Sequence, residues 1–219
     1  MRRMGPQPRL HHADRAAASL LGRIERWRCA STRPMSWAYR LTDQQPVIDA
    51  DVQRWASVLG LAHDDQALAR LLYAFPEFRS IFYHRLQRGN PCGVLAGRLC
   101  KHLWKPVAGL DLAGTIGAGL FISHGQGTIL AAERIGANCF VHHGVTVGWD
   151  YRSARSPIIG DDVFIGAGAK VLGAVTVGDG ARIGANAVVV SDVPAGATAV
   201  GAPARVAQEA LDPGELWQP

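Results

Sequence analysis

The sequence has no long apolar run. No stretch reaches the roughly 18 consecutive apolar residues of a membrane-spanning helix, and no apolar segment follows Arg2-Arg3 to complete a secretory signal. Hydrophobic residues nevertheless make up 48% of the chain, which is enough for a sizeable core. We therefore predict a folded protein with no membrane partner and a cytoplasmic location.

Cysteine is also scarce. The four cysteines of the chain show no Cys-x-x-Cys spacing, whereas disulfide frameworks and zinc ribbons depend on dense or regularly spaced cysteines. We therefore predict free thiols in a reducing cytosol. The four residues are Cys29, Cys92, Cys100 and Cys139.

Acidic residues are nearly missing from the N-terminal segment. Residues 1–40 hold nine Arg but only Asp14 and Glu25, and the whole chain has a net charge of +5. The excess positive charge therefore lies in this segment. A nucleic-acid-binding face would interleave aromatic residues with Lys and Arg, and the segment shows little of that pattern. We predict no nucleic-acid partner, and we interpret residues 1–35 as a basic leader without stable structure.

What the chain does have is a repeat of six residues. Aliphatic residues occupy every sixth position from Ile159 to Val189, and an earlier run from Ile135 to Val147 keeps the same period. A helix repeats every 3.6 residues or so and a strand every two, so neither explains this period. A parallel β-helix does, because each hexad forms a short strand and a corner, and three hexads close one coil. We predict this fold, with the aliphatic side chains inside and Gly or Asn at corners of positive φ.

The repeat is broken in two places. One residue too many lies between Ile122 and Ile135, and we place it around 128–134. The segment from Val147 to Ile159 has no inward aliphatic residue and contains two Arg, which predicts a loop that leaves the coil. Long irregular loops on a rigid scaffold often carry binding sites.

The residues before the repeat show the periodicity of helices. Apolar stripes predict helices over 16–27, 47–61, 66–75, from Pro76 onwards and over 92–104, and we interpret Arg33 and Pro34 as a break. The fold class is mainly β with an N-terminal α-helical part. Its predicted segments are the leader 1–35, a helical domain 36–108, the β-helix 109–206 and a short tail 207–219.

Three of the eight histidines lie within the repeat. His124 stands two residues after Ile122, and His143 two after Val141, so we expect equivalent positions on neighbouring coils, about 4.8 Å apart. His142 has a different phase and should point elsewhere. An accessible imidazole is a natural general base. Surface histidines without chemistry are one alternative and a zinc site is another, but consecutive histidines of different phase converge poorly, and we predict no metal.

Five short motifs stand out within the repeat. The chain reads Gly-Leu-Phe-Ile-Ser-His-Gly at 119–125, Gly-Val-Thr-Val-Gly at 144–148 and Ile-Gly-Ala-Gly-Ala-Lys-Val-Leu-Gly at 165–173. The others are Ile-Gly-Ala-Asn-Ala-Val-Val at 183–189 and Val-Gly-Ala-Pro-Ala-Arg at 200–205. Together, over roughly 111–206, they resemble the serine O-acetyltransferase family of hexapeptide-repeat acyltransferases.

This resemblance implies a left-handed parallel β-helix that assembles as a homotrimer. It implies acetyl-CoA as co-substrate, lying in the groove between two subunits, with a small-molecule hydroxyl acceptor beside it. It assigns His124 as the base that takes the proton of the attacking hydroxyl. We place Gly148, Trp149 and Ala167 on the acetyl-CoA side, and backbone N–H groups of the 144–149 turn near the oxyanion.

The acceptor side departs from the family pattern. The family's Asp fifteen residues before the base is Gly109 here, so we assign Asp111 as the carboxylate that orients His124. The family's Asp directly before the base is Ser123, which has no charge to pair with an ammonium group. Arg155 keeps its place in the loop and could pair with an acceptor carboxylate. The acceptor-binding residues that we predict are Ser123, His143 and Arg155.

These departures leave the acceptor open. Serine is the first expectation, a hydroxyl of a sugar or specialised metabolite is the alternative, and a trimeric scaffold without catalysis is a third possibility. The family's C-terminal tail ends in Ile and docks into cysteine synthase. This chain ends in Trp217-Gln218-Pro219, so we do not expect that docking.

Overall fold

A computed structural model describes residues 30–150 and 155–207. Five helices and thirteen short strands lie wholly within this part of the chain. The helices are α1 (Arg33–Leu41), α2 (Gln45–Leu59), α3 (Ala67–Ala74), α4 (Pro76–Leu86) and α5 (Pro91–Leu103). The strands are β1 (Leu110–Ile116), β2 (Phe121–Ser123), β3 (Thr128–Ile135), β4 (Phe140–His142), β5 (Thr146–Gly148), β6 (Ile158–Ile159), β7 (Phe164–Ile165), β8 (Lys170–Leu172), β9 (Thr176–Val177), β10 (Arg182–Ile183), β11 (Val188–Val189), β12 (Thr198–Val200) and β13 (Arg205–Val206).

The strands form the coils of a parallel β-helix. Strands one coil apart pair in parallel and form three faces. The first face has the order β2-β4-β7-β10-β12, and the second has the order β3-β5-β8-β11. On the third face β3 pairs with β6, and β6 pairs with β9. The long strand β3 bends from one face to the next, since Leu130 pairs with Val147 and Ile135 with Ile159. The antiparallel pair β12–β13 ends the ladder. The predicted parallel β-helix with N-terminal helices is confirmed.

The six-residue repeat marks the inside of the coil. All six aliphatic residues from Ile159 to Val189 are at most 1% exposed, so each removes its side chain from water and contributes hydrophobic free energy. Corners take left-handed backbone conformations, with φ of +57° at Asn138 and Asn186 and +55° at Asp162. Short polar residues tolerate this region better than other non-glycine residues. The prediction of inward aliphatics and turn-forming corners is thus confirmed.

The helical part differs from the prediction at its start. The four predicted helices from residue 47 onwards are present, with ends shifted by one or two residues. Helix α1 was missed, because we interpreted Pro34 as a break. Pro34 instead lies in the first helical turn. A backbone N–H there has no partner within the helix, so its absence in proline breaks no hydrogen bond. Met35 is fully buried, so packed structure begins inside the segment assigned to the leader. The helix predicted over 16–27 lies outside the described residues.

The helices pack on the first coil. Trp55 of α2 donates from Nε1 to the Leu120 carbonyl at 2.8 Å, and its ring centroid lies 4.4 Å from that of Phe121. Arg85 of α4 forms a buried ion pair with Asp51 of α2. None of the described helices is long and apolar enough to cross a bilayer.

His84 is buried between α4 and the first strand. Its side chain is 4% exposed, and its Nδ1 lies 3.1 Å from Arg88 Nη1. Burial lowers the pKa of His84 to about 4, and the positive charges of Arg88 and Arg85 add to this effect. The folded protein therefore holds a neutral imidazole here at pH values where an exposed histidine is charged.

This burial predicts a loss of stability in acid. Unfolded His84 takes up a proton near its ordinary pKa of about 6.5, whereas folded His84 does so only near 4. The unfolded state thus binds more protons between these values, and the free energy of unfolding should fall by up to about 3 kcal/mol as the pH drops from 6.5 to 4. Guanidinium unfolding across this range measures the slope. His84→Gln should flatten it, and exposed His102→Gln should not; equal slopes in both variants would refute this account.

Candidate active site

The chain turns from β2 into β3 through an extended corner. Ser123 pairs with His142, and Ile129 pairs with Thr146. Six residue steps lead from Ser123 to Ile129, whereas only four lead from His142 to Thr146 on the next coil. The corner therefore contains two extra residues. The single extra residue predicted around 128–134 is also present, because two steps from Ala113 to Thr115 in β1 face three steps from Ala131 to Arg134 in β3; the two extra residues of the corner were not predicted. The repeat regains its phase because Leu130 and Ile135 are five steps apart rather than six.

His124 is the first residue of this extended corner. Its side chain is exposed, and its backbone is left-handed, with φ +55°. This conformation costs a residue other than Gly or Asn about 1–2 kcal/mol, and such strain often marks a functional position. The geometry projects an imidazole from the edge of the coil into solvent, where a substrate could reach it.

Successive corners stack into one edge of the β-helix. Backbone hydrogen bonds join Gly144 N to the Gln126 carbonyl at 3.0 Å and Gly168 N to the His143 carbonyl at 2.9 Å. Along the axis of the β-helix, the corner that contains His143 is therefore next to the corner of His124. The corner that contains Ala167 lies one coil further. At one coil per step, His124 and Ala167 lie about 10 Å apart along this edge. The structure thus brings three predicted site residues together on one edge.

The two other ladder histidines differ in environment. The ring centroids of His124 and exposed His143 lie 6.4 Å apart, as expected for neighbouring coils. His142 is half-buried and packs with its centroid 5.2 Å from Phe140 and 5.5 Å from Phe164. Burial lowers the pKa of His142, and the nearby His143 and His124 lower it further. Among the described residues, no group of three or more His, Cys, Asp or Glu could hold a metal ion.

Asp111 lies on strand β1. It pairs with Ile129 and is exposed, and with Ser80, His84 and Lys101 it lines a cleft of about 150 Å³. Within residues 30–150 and 155–207, no hydrogen bond or ion pair joins its carboxylate to His124. Its assignment as the group that orients His124 stays a prediction.

Glu77 is a carboxylate that sequence reasoning missed. It lies in the first turn of α4 and is 9% exposed, and its Oε1 accepts a hydrogen bond from the backbone N–H of Gly125 at 3.4 Å. Gly125 directly follows His124. The one local signal was an acidic residue beside Pro76 at the head of an apolar helix. Its contact with Gly125, 48 residues later, depends on the tertiary packing of α4 on the coil. The residues around Glu77 in the sequence therefore do not indicate it.

The residues assigned to the acetyl-CoA side occupy two places. Gly148 ends strand β5, where it pairs with Leu172, and Trp149 follows with 52% of its surface exposed. Ala167 lies instead on the edge of His124, and its carbonyl accepts from Asn186 N at 2.8 Å. In the 144–149 turn, the N–H groups of Gly144 and Thr146 already donate within the coil. These two N–H groups are therefore not available to an oxyanion, and the predicted donors would have to be other backbone N–H groups of this turn.

Arg155 lies next to the part of the loop that is not described. Its Nε is 3.9 Å from Oε2 of Glu133, and 68% of its side chain is exposed. An exposed guanidinium in this position is accessible to a ligand carboxylate, with which it could form a bidentate pair. Ser123, the remaining predicted acceptor residue, ends β2 and is half-buried beside His142.

Comparisons with known proteins agree with this architecture. The family model described as bacterial transferase hexapeptide (six repeats) matches residues 156–191. A serine acetyltransferase from Helicobacter pylori is 47% identical over 142 residues, which cover 62% of this chain and 83% of that protein. One from Mycobacterium tuberculosis is 37% identical over 146 residues, which cover 62% of each.

Solved structures show the same similarity across most of the chain. The crystal structure of Neisseria gonorrhoeae serine acetyltransferase in complex with serine matches with a TM-score of 0.60 and 32% identity, covering 80% of this chain and 73% of that one. A serine acetyltransferase in complex with CoA matches with a TM-score of 0.56 and 27% identity, covering 80% and 74%. The similarity therefore extends beyond the repeat into the helical part.

Proposed function

The chain belongs to the serine acetyltransferase family, and from this premise we propose that it transfers the acetyl group of acetyl-CoA to the hydroxyl of serine, with His124 as general base. Family membership makes it an acetyl-CoA-dependent acyltransferase. The observation that carries the role of His124 is its exposed imidazole on a strained, extended corner. The similar structures that hold serine and CoA support the two substrates.

The proposed reaction needs one proton acceptor and one acyl donor. His124 takes the hydroxyl proton while the serine oxygen attacks the carbonyl carbon of the thioester, forming the new C–O bond. The tetrahedral intermediate then collapses, the C–S bond breaks, and the electron pair leaves with the CoA sulfur. The imidazolium returns its proton to that thiolate, so His124 ends the cycle neutral.

The edge of stacked corners suits this arrangement. His124 begins it, His143 lies one coil further, and Ala167 follows at about 10 Å. We assign the acceptor to the His124 end and acetyl-CoA to the edge that continues towards Ala167, in the groove between two subunits of a trimer. Exposed Trp149 and Arg155 lie on the loop after β5, at the opposite end of that strand from His143, and keep their proposed roles towards acetyl-CoA and an acceptor carboxylate respectively.

A thiol-release assay tests the proposed reaction. The purified protein should release CoA from acetyl-CoA when L-serine is added, at a rate well above that without acceptor, and mass spectrometry should identify O-acetylserine. The same assay with sugar hydroxyls tests the alternative acceptor, which the uncharged Ser123 keeps open. Release with a sugar but not with L-serine would replace serine as acceptor. No release with any hydroxyl would rule out the proposed catalysis and favour a scaffold.

A further inference from the structure

We infer that Glu77 is a positioning residue for His124: its carboxylate accepts a hydrogen bond from Gly125, the residue after His124, and so holds the extended corner in place. The inference rests on the proposed role of His124 as base. It concerns a residue of the helical part, outside the hexapeptide repeat and outside every predicted site.

The first support is a buried carboxylate with few partners. Glu77 is 9% exposed, and among the described residues the N–H of Gly125, at 3.4 Å, makes its only hydrogen bond. Gly125 is itself buried, and a buried backbone N–H needs a hydrogen-bond partner. Glu77 supplies that partner at a corner that has left the regular ladder, so α4 and the corner of His124 are joined by a directional contact.

The second support is steric. A Cβ at position 125 would lie 2.9 Å from Leu110 Cδ2, 3.3 Å from Ile122 Cγ2 and 3.4 Å from Glu77 Cγ. Gly125 is therefore clamped between helix α4 and the first coil, with Glu77 on one side. Because Gly125 is bonded directly to His124, this clamp limits the conformations open to the strained residue before it.

The third support is electrostatic. Glu77 lies in the first turn of α4, where the helix dipole stabilises a negative charge. The residue preceding the base, Ser123, is uncharged, and Gly109 has no side chain. Glu77 thus supplies a carboxylate at this corner, and its place at a helix N-terminus stabilises the charge that strengthens its hydrogen bond with Gly125 N.

The test separates the hydrogen bond from a general change in packing. In the full-length protein, Glu77→Leu removes the acceptor of the Gly125 N–H, and we expect the Gly125 amide to exchange about tenfold faster with solvent deuterium, while the amide of Ile165 in the coil interior stays unchanged. The kcat with serine should fall about tenfold because the base is less well positioned, and the KM for acetyl-CoA should stay unchanged. Glu77→Gln keeps an oxygen that can accept from Gly125 N, so it should retain most of the activity and the slow exchange.

Asp162→Asn is the matched control, because it removes one carboxylate at another corner of positive φ and should change neither quantity. An unchanged exchange rate of the Gly125 amide in Glu77→Leu overturns the inference, whether or not activity falls. The exchange measurement needs no turnover. If the unaltered protein releases no CoA with any acceptor, the proposed function fails, while the exchange rate still decides whether Glu77 holds the corner of His124.

Discussion

Replacement of His124 by asparagine should lower kcat/KM for acetyl transfer by about 10²–10⁴-fold while leaving the protein folded. Asparagine removes the proton acceptor but tolerates the left-handed backbone, as Asn138 and Asn186 do at other corners with φ +57°. The hydroxyl of serine is a poor nucleophile at neutral pH without a base. CoA release at saturating acetyl-CoA, with L-serine varied, measures the loss.

The choice of asparagine keeps the backbone out of the comparison. His124→Ala should lose as much activity, but it should be less stable than His124→Asn by about 1 kcal/mol or more, because alanine is disfavoured at positive φ and asparagine is tolerated there. His102→Asn, on the exposed last turn of α5, is the control for losing one surface histidine and should retain full activity. If His124→Asn kept more than about a tenth of the activity, a positioned base worth so little would not fit the known range, and His124 would not be the base.

The sequence predicted the structure well where aliphatic residues repeat at a fixed spacing, because that spacing marks the positions that face the inside of the coil. A period of six is explained by a parallel β-helix and not by a helix or an ordinary strand, so the inward positions from Ile159 to Val189 follow from the sequence alone. The positions of the histidines relative to Ile122 and Val141 followed from the same phase. Their stacking, with 6.4 Å between the ring centroids of His124 and His143, is a consequence of the repeat and not an additional coincidence.

The features that escaped the sequence depend on contacts between distant segments. The two extra residues of the His124 corner are visible only from the pairing of Ser123 and Ile129 with the next coil. Glu77 reaches Gly125 because α4 packs on the coil, and nothing near Glu77 in sequence indicates this. Helix α1 was missed for a different reason, since the interpretation of Pro34 ignored that proline is well tolerated in a first helical turn.

The helical part is therefore an element of the site and not only a cap. Helix α4 contacts the first coil at both of its ends. Near its start Glu77 bonds to the His124 corner, and near its end Arg85 donates to the carbonyls of Ile116 and Gly117 at 2.5 and 2.6 Å. A loss of the second contact should loosen the helix that supports the first. The stability of the ion pair at Arg85 thus bears on the geometry of the proposed base.

Replacement of Arg85 by methionine should lower the free energy of unfolding by about 3–5 kcal/mol. Arg85 Nε and Nη2 lie 2.9 and 3.2 Å from the two Asp51 oxygens, and the side chains are 3% and 1% exposed. Burial raises the pKa of Asp51, an effect that Arg85 and the N–H groups of Gly119 and Leu120 oppose. Without Arg85, a buried carboxylate loses its charged partner and two carbonyls lose their donor. Guanidinium unfolding at pH 7 measures the change.

A double variant and a surface ion pair serve as controls for this prediction. Asp51→Leu combined with Arg85→Met removes both charges, so it should cost less than Arg85→Met alone, because no unpaired charge remains buried. Arg70→Met breaks an ion pair of similar length, 2.7 Å to Asp64, in which the Asp64 side chain is 52% exposed, and it should cost less than about 1 kcal/mol. If Arg85→Met cost no more than Arg70→Met, the buried pair would not anchor α4 to the coil. The helical part would then support the His124 corner through apolar packing and Glu77 alone.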